Sequence, residues 1–186
     1  MRLFLDLYRP GPQTTVVDVG VTDAPFGAGS TDNFFEALYP WPEQITAVGH
    51  TDLSRFAAAF PRVRVVRADG RALPFGDHEF ELGFSNAVVE HVAGGRTAQR
   101  QFIGELCRVA RSVFVTTPNR WFPLDPHTLL PFAHWLPAGP ARDRLFRARG
   151  FDDVLHPLGA KEFASLFPYP VRILNRGLTL VAVGTS

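Results

Sequence analysis

Short β-branched runs alternate with amphipathic segments between Thr14 and Gly83, the pattern of a parallel sheet covered by helices. Thr14 to Gly20 (TTVVDVG) predicts a first strand. After it, Phe34, Phe35 and Leu38 recur at helical spacing behind Asn33, which with Glu36 three positions on makes a capping-box signature. Pro40 and Pro42 end that helix. A second strand is expected from Ile45 to about Val48, and Asp52 is placed to cap a short helix running through Phe60. Val63 to Ala68 predicts a third strand and Phe80 to Val88 a fourth. Thr97 to Ala110 carries the clearest helical period, with Phe102, Leu106 and Val109 or Ala110 on one face, and Ser112 to Thr117 follows as a fifth strand.

From Pro118 to Pro170 the pattern breaks. Nine of the sixteen prolines and two of the three tryptophans fall there, so an irregular aromatic insertion is expected at about 118–159. Ala160 to Phe167 then reads as a short helix. Val171 to Asn175 and Leu178 to Val183 read as two strands joined across Arg176 and Gly177, a link short enough to force an antiparallel hairpin. The expected fold is α/β: a Rossmann-like, seven-stranded, mostly parallel sheet with an antiparallel terminal hairpin and helices on both faces. All 186 residues are expected in a single domain. The N-terminal stretch MRLFLDLYRPGPQ breaks its apolar run at Asp6 and Arg9, which predicts a short helix and not a targeting or membrane segment.

Composition narrows the function. A net charge of +1 argues against a dedicated nucleic-acid binder. The single cysteine, Cys107, leaves no internal disulfide and no cysteine-based zinc site, which is consistent with a reducing, cytoplasmic setting. Arginine supplies every basic residue except Lys161; the cluster Arg142, Arg144, Arg147 and Arg149 reads either as solvated surface or as a meeting point for an anionic acceptor.

Ligands of open α/β sheets bind beyond the carboxyl ends of the strands, so the residues at those ends matter most. Asp18, Val19 and Gly20 stand at the first such end, where a glycine permits close approach or a positive φ. Farther on, the segment VRADGRALPFGDHEFELGFSNAVVEHV (66–92) places Asp69, Gly70, Leu73, Pro74, Phe75, Phe80, Glu81, Glu90, His91 and Val92 in one ordered frame. This frame resembles the region around the fourth strand of class I S-adenosylmethionine-dependent methyltransferases, particularly the small UbiE-like enzymes.

The resemblance implies the cofactor S-adenosylmethionine, leaving as S-adenosylhomocysteine, and methyl transfer to a small, partly apolar molecule, with no nucleic-acid partner and no membrane span. Asp18, Gly20, Thr22 and Asp23 would belong to the cofactor loop. Asp69 would accept a hydrogen bond from the adenine amino group, Gly70 would bring its amide to the ring with Arg71 beside it, and Asn86 would lie against the methionine moiety. Asp69 also reads as a plain turn carboxylate. Two departures stand out: Thr22 and Asp23 occupy the place of the family's further glycine, and Gly49 and His50 end the second strand where the family has an acid. Asp52 is the nearest carboxylate for a ribose, or else a helix cap. Asp23 is expected to face the cofactor's carboxylate tail and weaken its binding.

His91, following Glu90, is the candidate group beside the methyl position, as a general base or positioning residue, with a structural capping role as the other reading. The related quinone-type enzymes imply that such a Glu-His pair can help hold a divalent metal. Trp121, Phe122, Asp125, His127, Phe132, His134 and Trp135 read either as an acceptor pocket or lid, or as a locally packed cluster. The altered glycine loop keeps open an alternative, a catalytically divergent relative binding a nucleoside or nucleotide as a pathway partner. A nicotinamide oxidoreductase is disfavoured by the lack of a G-x-G-x-x-G turn.

Overall fold

A computed structural model describes residues 1–24, 26, 32–124, 131–132, 135–136, 139–148 and 156–185. Helix α1 (Arg2–Tyr8) leads into β1 (Val16–Val19), followed by α2 (Phe34–Leu38), β2 (Ile45–Gly49), α3 (Ser54–Ala59), β3 (Arg64–Arg67) and β4 (Phe80–Asn86). Then come α4 (Gly95–Val109), β5 (Ala110–Pro118), α5 (Pro140–Arg147), α6 (Ala160–Ala164), β6 (Arg172–Asn175) and β7 (Thr179–Thr185). One seven-stranded sheet has the order β3-β2-β1-β4-β5-β7-β6. The first five strands are parallel, and β7 enters antiparallel to β5 with β6 outside it. The expected fold class is therefore the observed one.

Strand β1 is buried throughout and pairs on both edges, with β2 and β4, so alternate side chains serve two separate cores. Val17 and Val19 pack with α4 residues Phe102, Ile103 and Leu106 and with Phe163 of α6. Val16 points to the other face, where Phe4 of α1, Phe35 of α2 and Phe56 of α3 meet Phe84 and Phe114 of the sheet. Phe84 is the hub of this aromatic core: it stacks on Phe35 at 4.1 Å between centroids, lies parallel to Phe114 at 5.7 Å, and receives the edge of Phe4 at 5.6 Å. Such pairs add to the apolar area that each ring buries.

The Leu73, Pro74 and Phe75 run does structural work. Leu73 and Phe75 are buried beneath α4. Glu105 accepts the Leu73 amide at 2.8 Å, while the Arg108 guanidinium donates to the carbonyls of Leu73 and Phe75 and to Asp77. An arginine so ringed by acceptors clamps the strand-to-strand loop to the helix.

Three local expectations change. Asn33 precedes α2 but caps nothing with its side chain, and Glu36 turns into the core instead of back toward Asn33. Asp52 does not cap α3; it accepts a hydrogen bond from Ser54 Oγ at 2.7 Å, and the α3 amides of Arg55 and Phe56 donate instead to Asp23 Oδ1 at 2.8 and 3.0 Å. A carboxylate reaching from the loop after β1 has supplied the cap that sequence proximity gave to Asp52. The terminal hairpin turns one residue later than expected, because the Arg176 amide donates to the Thr179 carbonyl, leaving Gly177, at φ 76°, and Leu178 in the turn.

Two outcomes follow for stability. Phe84→Ala is expected to lower unfolding free energy by about 3 to 5 kcal/mol in denaturant titration, as for aromatic deletions in closed cores. Asp23→Ala is expected to cost about 0.5 to 2 kcal/mol as a lost cap, whereas Asp52→Ala stays within about 0.5 kcal/mol of the parent. The reverse ranking of the two aspartates would return the cap to Asp52.

Candidate functional site

The strand order reverses direction between β1 and β4, which opens a crevice beyond their carboxyl ends. The chain leaves β1 through Gly20, whose φ of 113° suits glycine, and whose amide donates to the Val48 carbonyl of β2 at 2.8 Å. A Cβ here would fall 2.2 Å from Val88 Cγ2, so the glycine is required by conformation and by space. On the other side, Ser85 Oγ donates to the Val19 carbonyl at 2.8 Å, fastening the end of β4 to that of β1. The crevice floor is thus rigid backbone.

Beneath this turn lie two carboxyl groups. Asp18, the polar residue of β1, shares the Val16 face, and Glu36 of α2 meets it there; both are at least nine-tenths buried. Burial, and then the neighbouring Glu36 carboxyl, push the Asp18 carboxyl well above the usual carboxylate range, and burial raises Glu36 too. Neither Glu36 oxygen receives a hydrogen bond from a donor among the described residues. A carboxyl whose value is raised on folding stabilises the fold while protonated, and that contribution is lost as pH rises through the raised value.

Above the pair, the loop after β1 is held by side chains in place of glycines. The Asn33 amide group donates to the carbonyls of Thr22 and Ala24, its oxygen accepts the Thr22 amide, and Thr22 Oγ1 donates to Asp32. Asp23, expected beside the cofactor tail, has one carboxylate oxygen engaged by α3. Residues 25 and 27–31 of the loop lie outside the described residues.

At the end of β3, Asp69 is exposed and chelated by its neighbour: Arg71 Nε donates at 3.0 and 3.1 Å to the two carboxylate oxygens, Nη2 at 2.7 Å to Oδ2, and the Arg71 amide at 2.9 Å to Oδ1. These hydrogen bonds hold the Asp69 carboxyl down to about 2, so it is ionised at neutral pH. Gly70 has a packing cause: a Cβ would sit 2.5 Å from the Phe102 ring. Asp52 is exposed beyond β2. Asn86, exposed at the end of β4, accepts from Thr116 Oγ1 at 2.7 Å.

Glu90 and His91 share a single 3-10 turn after β4 but do not face alike. Glu90 is 1% exposed, with Oε2 accepting from Thr117 Oγ1 at 3.0 Å and its carbonyl from the His156 amide, while His91 is half-buried. Glu90 therefore braces the turn against the end of β5. Among the described residues no three His, Cys, Asp or Glu side chains gather as metal ligands. Beyond β5, Trp121, Phe132 and Trp135 are exposed, and the Trp135 ring neighbours both others, at 4.8 Å between centroids from Phe132 and 6.2 Å from Trp121. Asp125, His127, His134 and Arg149 lie outside the described residues, as do the side chains of Arg142 and Asp143. No helix among the described residues is long and apolar enough to cross a membrane.

Sequence reasoning gave Glu36 only a capping role, and placed Ser85 and Thr117 at strand ends without a role of their own. The one legible signal was the acid within Phe34–Leu38 (FFEAL), which interrupts an otherwise apolar segment without a local basic partner.

Residues 23–113 match the family model described as a methyltransferase domain. Among solved structures, the S-adenosylmethionine-dependent methyltransferase from Mesorhizobium loti is similar over 95% of this chain and 94% of that one, with a TM-score of 0.61 at 13% identity. PigF, solved with S-adenosylhomocysteine, is similar over 98% of this chain and 53% of that one, with a TM-score of 0.60 at 17% identity. The SpnF cyclase is similar over 94% of this chain and 57% of that one, with a TM-score of 0.59 at 15% identity. A search of curated protein sequences found no match. The sheet order and these likenesses give the chain the fold of the class I S-adenosylmethionine-dependent methyltransferases, within which residues 23–113 match a methyltransferase domain.

Proposed function

We propose that the protein transfers a methyl group from S-adenosylmethionine to a small, partly apolar acceptor. The observation that carries this reading is the crevice itself: a glycine turn over a buried acid pair at the β1 end, with the exposed polar groups of Asp69 and Asn86 at neighbouring strand ends. These residues suit the cofactor. A carboxylate accepts well from an exocyclic amine, and buried acids lacking a donor suit a ligand that brings positive charge. When bound, S-adenosylmethionine supplies an activated methyl group.

The protein's own contribution is chiefly placement. Asp69 would take the adenine amino group, with Arg71 keeping the carboxylate ionised and oriented; Gly20 and Thr22 would line the loop, with Asp23 anchoring that loop on α3; Asn86, steadied by Thr116, would meet the amino-acid end. Asp52 remains available to a ribose. His91 would stand over the reacting position as a base or positioning group, with Glu90 holding its turn. The exposed Trp121, Phe132 and Trp135 would offer the acceptor an apolar wall. In-line positioning of this kind contributes much of the acceleration when no covalent chemistry by the protein is needed.

SpnF is described as a cyclase, so the shared fold alone does not fix the reaction. Cofactor binding and turnover are accordingly separate measurements. In calorimetry, Asp69→Ala is expected to weaken S-adenosylhomocysteine binding by about 1 to 3 kcal/mol. His91→Asn is expected to slow methyl transfer by about 100-fold or more at similar cofactor affinity, if His91 is a base. Unchanged affinity in Asp69→Ala would move adenine elsewhere, and binding of plain nucleosides without the methionyl compounds would favour the nucleoside-binding alternative.

A further inference from the structure

Asp18 and Glu36 are two buried acids whose charge state the cofactor reading leaves open. Among the described residues, no cation figures among the groups that act on Asp18 or Glu36. Along the elements packed around them, β2 (Ile45–Gly49) carries no titratable side chain, and α2 (Phe34–Leu38) carries none besides Glu36. Strand β4 carries only Glu81, at its opposite end beside Thr15. On α1, Arg2 and Asp6 pair with each other at the surface, and the Tyr8 hydroxyl donates to the Val113 carbonyl. Arg55 of α3 is exposed. In the loop above, Asp23 and Asp32 are further carboxylates, Asp23 engaged by α3 and Asp32 by Thr22. Tyr39, at the C-terminal end of α2, is buried with its hydroxyl.

Two buried acids in contact do not both ionise without a cation, because each charge raises the cost of the other. With a proton between them they hydrogen-bond and carry one negative charge. With both ionised, Glu36 has no donor among the described residues. A ligand that brings an ammonium group to the end of β1 changes this balance, since a nearby positive charge favours full ionisation.

Resting on the cofactor reading above, we propose that Asp18 and Glu36 share one proton in the free protein and release it to solvent when the ammonium-bearing end of the cofactor binds. The balance is simple: the pair passes from one negative charge to two, the proton goes to buffer, and the ligand's ammonium supplies the compensating charge. Cofactor affinity is thereby linked to pH, and Glu36 becomes a positioning residue acting through Asp18. Proton release also separates ligands by their amino-acid end, since 5′-methylthioadenosine keeps the nucleoside and lacks the ammonium.

The test is calorimetric titration of the full chain with S-adenosylhomocysteine and with 5′-methylthioadenosine, in buffers of different ionisation enthalpy. S-adenosylhomocysteine is expected to release up to about one proton and to bind more tightly as pH rises from about 6 to about 8, by at most about tenfold per unit. 5′-Methylthioadenosine is expected to release none. Glu36→Gln, which puts an amide donor beside Asp18, is expected to abolish both the release and the pH slope. Infrared difference spectra of the unmodified protein provide a second readout that needs no variant: the protonated-carboxyl band should disappear on binding S-adenosylhomocysteine. Binding without proton release, or release undiminished in folded Glu36→Gln, would overturn the proposal and leave the cofactor reading intact. Failure of S-adenosylhomocysteine to bind at any pH would overturn both.

Discussion

Burial of β1 on both faces is the constraint on which the rest of the structure depends. A strand paired on two edges and covered on two faces has no solvent to satisfy it, so every group it carries is answered by another element. Its valines divide the protein into an α4 side and an aromatic side. Its exit through Gly20 sets where the crevice opens, and the hydrogen bonds from Gly20 to Val48 and from Ser85 to Val19 fix three strand ends at one level. The clamp of Arg108 on the loop before β4 supports the same plane from below, because it holds α4 against that strand.

Within that strand Asp18 is the exception, and it explains several features that otherwise look unrelated. An acid in a buried strand is costly unless paired or protonated, and here its neighbour is another acid rather than a base. The fold tolerates this because a dense aromatic cluster around Phe84 contributes stability on the same face. Local stability is thus set against a group whose charge has no structural use. Such conflicts concentrate at functional sites.

The fold was legible because strand chemistry is local. TTVVDVG, the β-branched runs near 46 and 65, SVFVTT and the hairpin around Gly177 each announce their element in a few residues, and the helical period of α4 does the same. What escaped was nonlocal. Asp23 caps a helix thirty-two residues away from it at Arg55, which no reading of spacing around Asp52 reveals. Asn33 followed the capping pattern yet spends its side chain on the Thr22 loop. Gly70 stood where a ligand approach was expected, and the packing of Phe102 and Val19 against it is a second, nonlocal demand for glycine. The ordered frame from Asp69 to Val92 pointed to the observed fold, although much of it, including Leu73, Phe75 and Glu90, is structural support.

The central claim is that ligand chemistry happens at the carboxyl ends flanking the β1–β4 reversal. Amide chemical shifts in a titration with S-adenosylhomocysteine test it most directly. The account predicts that the largest changes fall on Gly20 to Thr22, Asp69 to Arg71 and Ser85 to Ala87, while the opposite edge of the sheet, from Gly76 to Glu79 and around Thr14, stays still. Changes confined to that opposite edge, or to the outer strands β6 and β7, would contradict it.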